Sequence, residues 1–184
     1  MPIRRHARIV VLAILALTAT ASLAACASRS TRDDAVVTPP APLAFVVVRH
    51  AEKASDTARD PELSDAGHTR ARALAVALRD APLVAAWSTS YLRTRQTAAP
   101  AAQAHGLETQ SYDAALPAAE LARRLREANA GGTVLVVGHS NTVPGIVAAL
   151  CGCEVAAIDE ATYGGRYDVR FDADGSATLV LGHY

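Results

Sequence analysis

The chain reads as an α/β domain of three layers, a mainly parallel central sheet with helices on both faces. Three observations lead there. The runs Phe45-Val46-Val47-Val48 and Val134-Leu135-Val136-Val137 lack polar alternation, the habit of strands buried on both faces of a parallel sheet. Apolar residues at helical spacing lie between strand-like runs, giving the order βαβαβαβα. Two β-rich segments around Asp174-Gly175 then read as a closing hairpin that adds an antiparallel edge.

Each element carries its own signal. After the first strand, Ser64-Asp65-Ala66-Gly67 opens a helix with Ser64 as N-cap. Ala71, Leu74, Ala75, Leu78 and Ala81 recur on one face, and Pro82 ends the helix. Val84 to Trp87 is a short second strand running into Ser88-Thr89-Ser90. A helix from Arg93 to His105 stops at Gly106, and Pro100 is expected either to kink it or to divide it. Leu107 to Tyr112 reads as a further strand. Pro117 starts a helix with Leu121, Ala122, Leu125 and Ala128 on one side, while Glu120 precedes Arg123 and Arg124 at ion-pair spacing on the solvated side. Gly131-Gly132 feeds the second buried strand, a short helix covers Val143 to Leu150, and Tyr167–Phe171 with Thr178–Leu181 form the hairpin.

The first residues stand apart from this fold. Arg4, Arg5 and Arg8 precede an uncharged apolar stretch from Ile9 to Ala21, and Leu23-Ala24-Ala25-Cys26 follows. Residues 1–25 therefore look like a lipoprotein signal peptide, with Cys26 the lipidated first residue of the mature chain. The apolar stretch is shorter than the ~20 residues a membrane-spanning helix needs. Residues 26–42, polar at first and then Pro39-Pro40-Ala41-Pro42, read as a tether with a reach of up to about 50 Å at ~3.3 Å per residue. Residues 43–184 form one domain. Cleavage removes three arginines and no acid from an otherwise balanced 18 basic and 18 acidic residues, so the mature chain is mildly acidic. That charge excludes a general nucleic-acid footprint. By resemblance to lipoproteins of double-membraned bacteria, Ala27 after the cysteine directs the protein to the outer membrane, facing the periplasm. Cys151 and Cys153 are either a tight disulfide or two small buried thiols.

Both buried strands end in histidine, as Arg49-His50 and Gly138-His139. Ligands of open α/β sheets collect beyond the carboxyl ends of such strands, so these residues point to an anion site. A neutral imidazole can attack phosphorus and carry the phosphoryl group. Guanidinium forks suit the charge that spreads over its oxygens. Arg49 and His50 alternate along the strand, so both reach one site only if the strand ends there.

Four segments resemble the histidine phosphatase superfamily, with its phosphoglycerate mutase-like fold. They are Val48-Arg49-His50-Ala51-Glu52-Lys53, Leu63-Ser64-Asp65-Ala66-Gly67, Thr89-Ser90-Tyr91-Leu92-Arg93-Thr94-Arg95-Gln96-Thr97-Ala98 and Val137-Gly138-His139-Ser140-Asn141-Thr142. The resemblance implies that His50 is the phosphorylated nucleophile, that Arg49 and Arg93 clamp the phosphate, and that His139 is the second histidine. It implies no cofactor and no required metal. Arg95, two residues beyond Arg93, is expected at the surface. Lys53 and Asn141 are candidate substrate-binding residues at the pocket mouth or ordinary loop residues. The family usually draws a carboxylic acid from between the second arginine and the second histidine; Asp113 is the candidate general acid by position, or a turn residue, and Glu52 is a weaker candidate. Members with Asp directly after the second histidine are not matched, because Ser140 stands there.

The implied activity is hydrolysis of phosphomonoesters or phosphorylated protein side chains through a phosphohistidine at His50. The short span between Ala98 and Gly138 lacks a mutase's long insertions. Alternatives are a lipoprotein that binds phosphorylated ligands with little turnover, or a phosphoglycerate-mutase-type phosphotransferase. His50-Ala51-Glu52 fits a zinc deaminase poorly, because Cys151-Gly152-Cys153 has the wrong spacing. Gly138-His139-Ser140-Asn141-Thr142 lacks the final glycine of a serine-hydrolase elbow.

Overall fold

The computed structural model describes residues 41–54 and 58–184. The signal-peptide segment, the lipidation cysteine Cys26 and nearly all of the tether lie outside the described residues. Ten elements follow in chain order: β1 (Ala44–Arg49), α1 (Asp65–Ala77), β2 (Leu83–Ser88), α2 (Leu92–Ala104), β3 (Thr109–Ser111), α3 (Ala118–Ala128), β4 (Thr133–Gly138), α4 (Val143–Cys151), β5 (Gly165–Phe171) and β6 (Ala177–His183). Pro100 neither divides nor ends α2, which runs unbroken past it.

One open sheet has the strand order β3-β2-β4-β1-β5-β6. The first four of these strands are mutually parallel, whereas β5 runs antiparallel to both β1 and β6. The hairpin therefore extends the parallel sheet beside β1. Alternation along β1 sorts the two cores. Phe45 and Val47 pack with Leu121 and Leu125 of α3 and Ile146 and Val147 of α4. Val46 and Val48 pack with Leu74 and Leu78 beside Ala98, Ala101 and Ala102 of α2. Helices thus cover both faces, and this is why the two central strands can be apolar throughout.

Register decides where the chemistry lies. Val48 pairs with Val137 and Arg49 with Gly138, and the His50 N–H donates to the Gly138 carbonyl at 2.9 Å. His50 and His139 are the first residues beyond adjacent parallel strands. Gly138 sits where space is short: a Cβ there would lie 3.1 Å from the Tyr112 hydroxyl and 3.0 Å from Thr142 Oγ1. At the opposite end of the sheet, the Ala41 carbonyl accepts from the Gly132 N–H at 2.9 Å.

Candidate active site

β1 ends at Arg49, so the alternation that would separate Arg49 from His50 stops there. The His50 and His139 rings approach to 5.4 Å between centroids at an interplanar angle of 67°. Arg93, in the first turn of α2, enters from the third side. The result is a cavity of about 250 Å³ lined by Arg49, His50, Arg93 and His139, with Lys53, Tyr91, Ala114, Ser140, Asn141, Thr142 and Glu160 around them.

The imidazole of His50 has a defined tautomer. Its Nδ1 lies 2.7 Å from the Ala51 carbonyl oxygen, which can only accept, so Nδ1 carries the proton and Nε2 keeps its lone pair. Burial holds the His50 pKa down at about 3; His139, Arg49 and Arg93 reinforce this, against the opposing pull of the Ala51 carbonyl. At neutral pH the ring is therefore uncharged, with an Nε2 lone pair able to act as a nucleophile. Burial, then Arg93 and Arg49, lowers His139 to about 4.

A chain of hydroxyls orients His139. Thr94 Oγ1 donates its proton to the Thr89 and Tyr91 carbonyls, at 3.1 and 2.9 Å. Its 2.7 Å contact with Thr89 Oγ1 then requires Thr89 as donor, leaving Thr89 to accept from His139 Nε2 at 3.1 Å. Thr97 extends the same support to the other histidine. It back-bonds to the Arg93 carbonyl at 2.7 Å and accepts the Ala51 N–H at 3.0 Å. Gln96 accepts the Leu63 N–H at 2.7 Å. These α2 residues hold the loop after β1 against the helix; buried hydroxyls inside an amphipathic pattern gave no sequence signal of that duty.

The two arginines are mounted differently. Arg49 is 5 % exposed and its Nη1 donates to the carbonyls of Asp159, Glu160 and Thr162 at 3.1, 2.7 and 2.9 Å. Its guanidinium carbon stands 4.2 Å from the Tyr163 ring centroid. Arg93 stacks on Tyr91 at 4.3 Å and lies 3.6 Å from Asp60, whose carboxylate accepts the Leu92 N–H at the start of α2. The Nε atoms of both arginines are buried without a hydrogen-bond partner. Buried donors of this kind are costly to leave unmatched, and a tetrahedral oxyanion is the acceptor this charge favours.

The carboxylates are arranged otherwise than position in the chain implied. Asp113 is exposed and does not line the cavity; its Oδ1 accepts the Ala115 N–H at 2.9 Å, the work of a turn residue. Glu52 gives both oxygens to Arg70 at 2.6–2.9 Å. Glu160, which no motif pointed to, lines the cavity. Arg95 is exposed, away from the site. Lys53 and Asn141 are both at its wall. Cys151 and Cys153 are joined as a disulfide at the end of α4. Among the described residues, no cluster of three His, Cys, Asp or Glu side chains is placed to hold a metal ion.

The fold has clear relatives among solved structures. The chain is similar to the protein histidine phosphatase SixA complexed with tungstate, at 24 % identity and TM-score 0.61 over 76 % of this chain and 96 % of that one. A phosphoserine phosphatase from Entamoeba histolytica, in complex with 3-phosphoglyceric acid, is similar at 14 % identity and TM-score 0.59, covering 77 % and 98 %. A mycobacterial glucosyl-3-phosphoglycerate phosphatase is similar at 16 % identity and TM-score 0.55, covering 77 % and 97 %. No curated protein matches the chain. The model of the histidine phosphatase superfamily (branch 1) matches residues 45–117, from β1 through both arginines to the start of α3. Beyond that stretch, β4 brings His139 to the site in register with His50. Over residues 45–117, then, the chain is similar to the histidine phosphatase superfamily.

Proposed function

We propose that the domain is a phosphatase acting through a phosphohistidine at His50. The observation that carries this is the His50 ring, its Nδ1 held by the Ala51 carbonyl, lining one cavity with a second histidine and two arginines. Nε2 attacks phosphorus, the bond to the leaving oxygen breaks with its electron pair, and that oxygen takes a proton. Water then attacks the phosphohistidine, loses a proton and releases inorganic phosphate, restoring the neutral ring. Arg49 and Arg93 neutralise the equatorial oxygens, and His139 supplies a hydrogen bond once protonated beside the dianion.

Substrates are phosphomonoesters or phosphorylated protein side chains. Support comes from the cationic lining of the cavity and from likeness to proteins described as phosphatases of protein histidine, phosphoserine and a sugar phosphoglycerate. Lys53 and Asn141 contact the remainder of the substrate at the cavity wall. His50→Ala should abolish both turnover of 4-nitrophenyl phosphate and trapping of acid-labile, radiolabelled phosphoenzyme. Turnover persisting in that variant would refute the route, while a parent protein that binds phosphate without turnover would be a binding protein instead.

The protein works at the cell envelope, held by lipid on Cys26 with its domain on the periplasmic side of the outer membrane. The basic, apolar and small-residue segments before Cys26 support this. Cys26→Ser should move the full-length protein from the membrane fraction to the soluble fraction. Unchanged membrane association would count against the anchor.

A further inference from the structure

Glu160 lies in the irregular segment between α4 and β5, outside the four motifs. A tight turn carries it: the Thr162 N–H donates to the Asp159 carbonyl at 3.0 Å, and the Ala161 N–H to Asp159 Oδ1 at 2.7 Å. Three carbonyls of this turn accept from the single nitrogen Nη1 of Arg49, that of Glu160 at 2.7 Å. The backbone of Glu160 is therefore fastened to a guanidinium of the anion site. Its side chain, exposed like that of Asp113, nonetheless lies at the cavity wall, where Ser140 Oγ donates to Oε1 at 3.4 Å. Ser140 directly follows His139 in the chain, so this contact joins the Glu160 carboxyl group to the residue next to the second histidine. Among the described residues, Glu160 is the only carboxylate that lines the cavity. Asp113 is spent on its own turn, and Glu52 on Arg70.

We propose that Glu160 is the proton carrier of the reaction and that it equips the site for phosphate esters of aliphatic alcohols, such as phosphoserine. The assignment rests on the phosphohistidine route above. As the His50 Nε2–P bond forms and the P–O bond breaks, the protonated carboxyl of Glu160 gives its proton to the departing alkoxide oxygen. As the carboxylate, it then takes a proton from the water that attacks the phosphohistidine, and so returns to its starting form. An alkoxide is a poor leaving group and depends on that proton, whereas 4-nitrophenolate departs without it. The location differs from the Asp113 position that the family resemblance implies.

Glu160→Gln tests this in the full chain. It keeps the side-chain volume, the acceptor for Ser140 and the backbone carbonyl that holds Arg49. With phosphoserine, kcat/KM should fall by roughly 10²–10⁴-fold, the range for loss of a general acid. With 4-nitrophenyl phosphate the fall should stay below about tenfold, because kcat/KM reports only the steps through phosphorylation. Labelled phosphoenzyme formed from 4-nitrophenyl phosphate should also decay more slowly than in the parent. Asp113→Asn should leave both substrates unaffected. Equal losses for the two substrates would show that Glu160 acts only through the Arg49 turn, and no loss with either would also overturn the assignment. Failure of the underlying route has a separate signature, the absence of labelled phosphoenzyme in the parent protein.

Discussion

At Arg49 one guanidinium divides its donors between structure and ligand. Nη1 serves three loop carbonyls, Nη2 stands 3.4 Å from the Tyr163 hydroxyl, and Nε is buried without a partner. A lysine ammonium is a point charge on a flexible stem and cannot present a planar fork to carbonyls and oxyanion together. Arg49→Lys is thus expected to keep the charge yet lower kcat/KM by roughly 10²–10³-fold, as for removal of one oxyanion-stabilising donor. Leaving loop carbonyls unmatched should also cost about 1–3 kcal/mol, read as a lower denaturation midpoint. Arg93 meets its loop only through the exposed Asp60, at 3.6 Å, and holds no loop carbonyl, so Arg93→Lys should match the kinetic loss with a smaller change in stability. Equal destabilisation by both substitutions would contradict this division of labour.

At the scale of elements, the central strands and the Ser64 cap were legible, whereas α1 ends at Ala77 short of Pro82, β3 covers only Thr109–Ser111, and the supports between elements were hidden. Unbroken β-branched runs marked β1 and β4 because both faces are buried, and their parallel pairing follows from the crossover order. Ser64 was visible as an N-cap, and it accepts the Gly67 N–H at 3.1 Å. Thr89, Thr94 and Thr97 carried no mark of their supporting role, since sequence cannot show which hydroxyls the fold buries. Glu160 stands in a segment without periodicity, whose shape is set by Arg49 more than a hundred residues earlier; sequence distance hid it. Gly67 shows how closely the elements fit. A Cβ there would run into the Glu52 carbonyl oxygen and lie 3.1 Å from Leu63 Cβ. That carbonyl already accepts the Ser64 N–H at 2.9 Å, so it cannot move freely. Helix propensity alone favours alanine over glycine by about 1 kcal/mol. Overpacking costs about 1–3 kcal/mol and sets the sign when the obstacle is backbone. Gly67→Ala should therefore lower the thermal midpoint; an unchanged or raised midpoint would mean that α1 yields without cost.

Across the whole molecule, the ends of β1, β2 and β4 must meet to assemble the site, and burial of the meeting point has a thermodynamic signature. His50 and His139 hold native pKa values of about 3 and about 4, each below the 6.5 of an unperturbed histidine. Above pH 7 both rings are neutral whether the chain is folded or unfolded, and they make stability neither rise nor fall with pH. As pH drops through 6.5, the unfolded chain binds protons that the native site refuses, so the unfolded state gains. Stability therefore declines as pH falls from about 6.5 towards 4, and the penalty is complete once both native rings also protonate near pH 3. The sign opposes that of a histidine paired with a carboxylate, which stabilises the fold on protonation. Urea unfolding of the parent protein should give midpoints that fall steeply between pH 7 and pH 4.5. The double variant His50→Gln, His139→Gln, which cannot titrate at these positions, should show a shallower decline over the same interval. Identical slopes would mean that the two imidazoles titrate alike in the folded and unfolded chains, and the neutral nucleophile inferred for His50 would lose its physical basis.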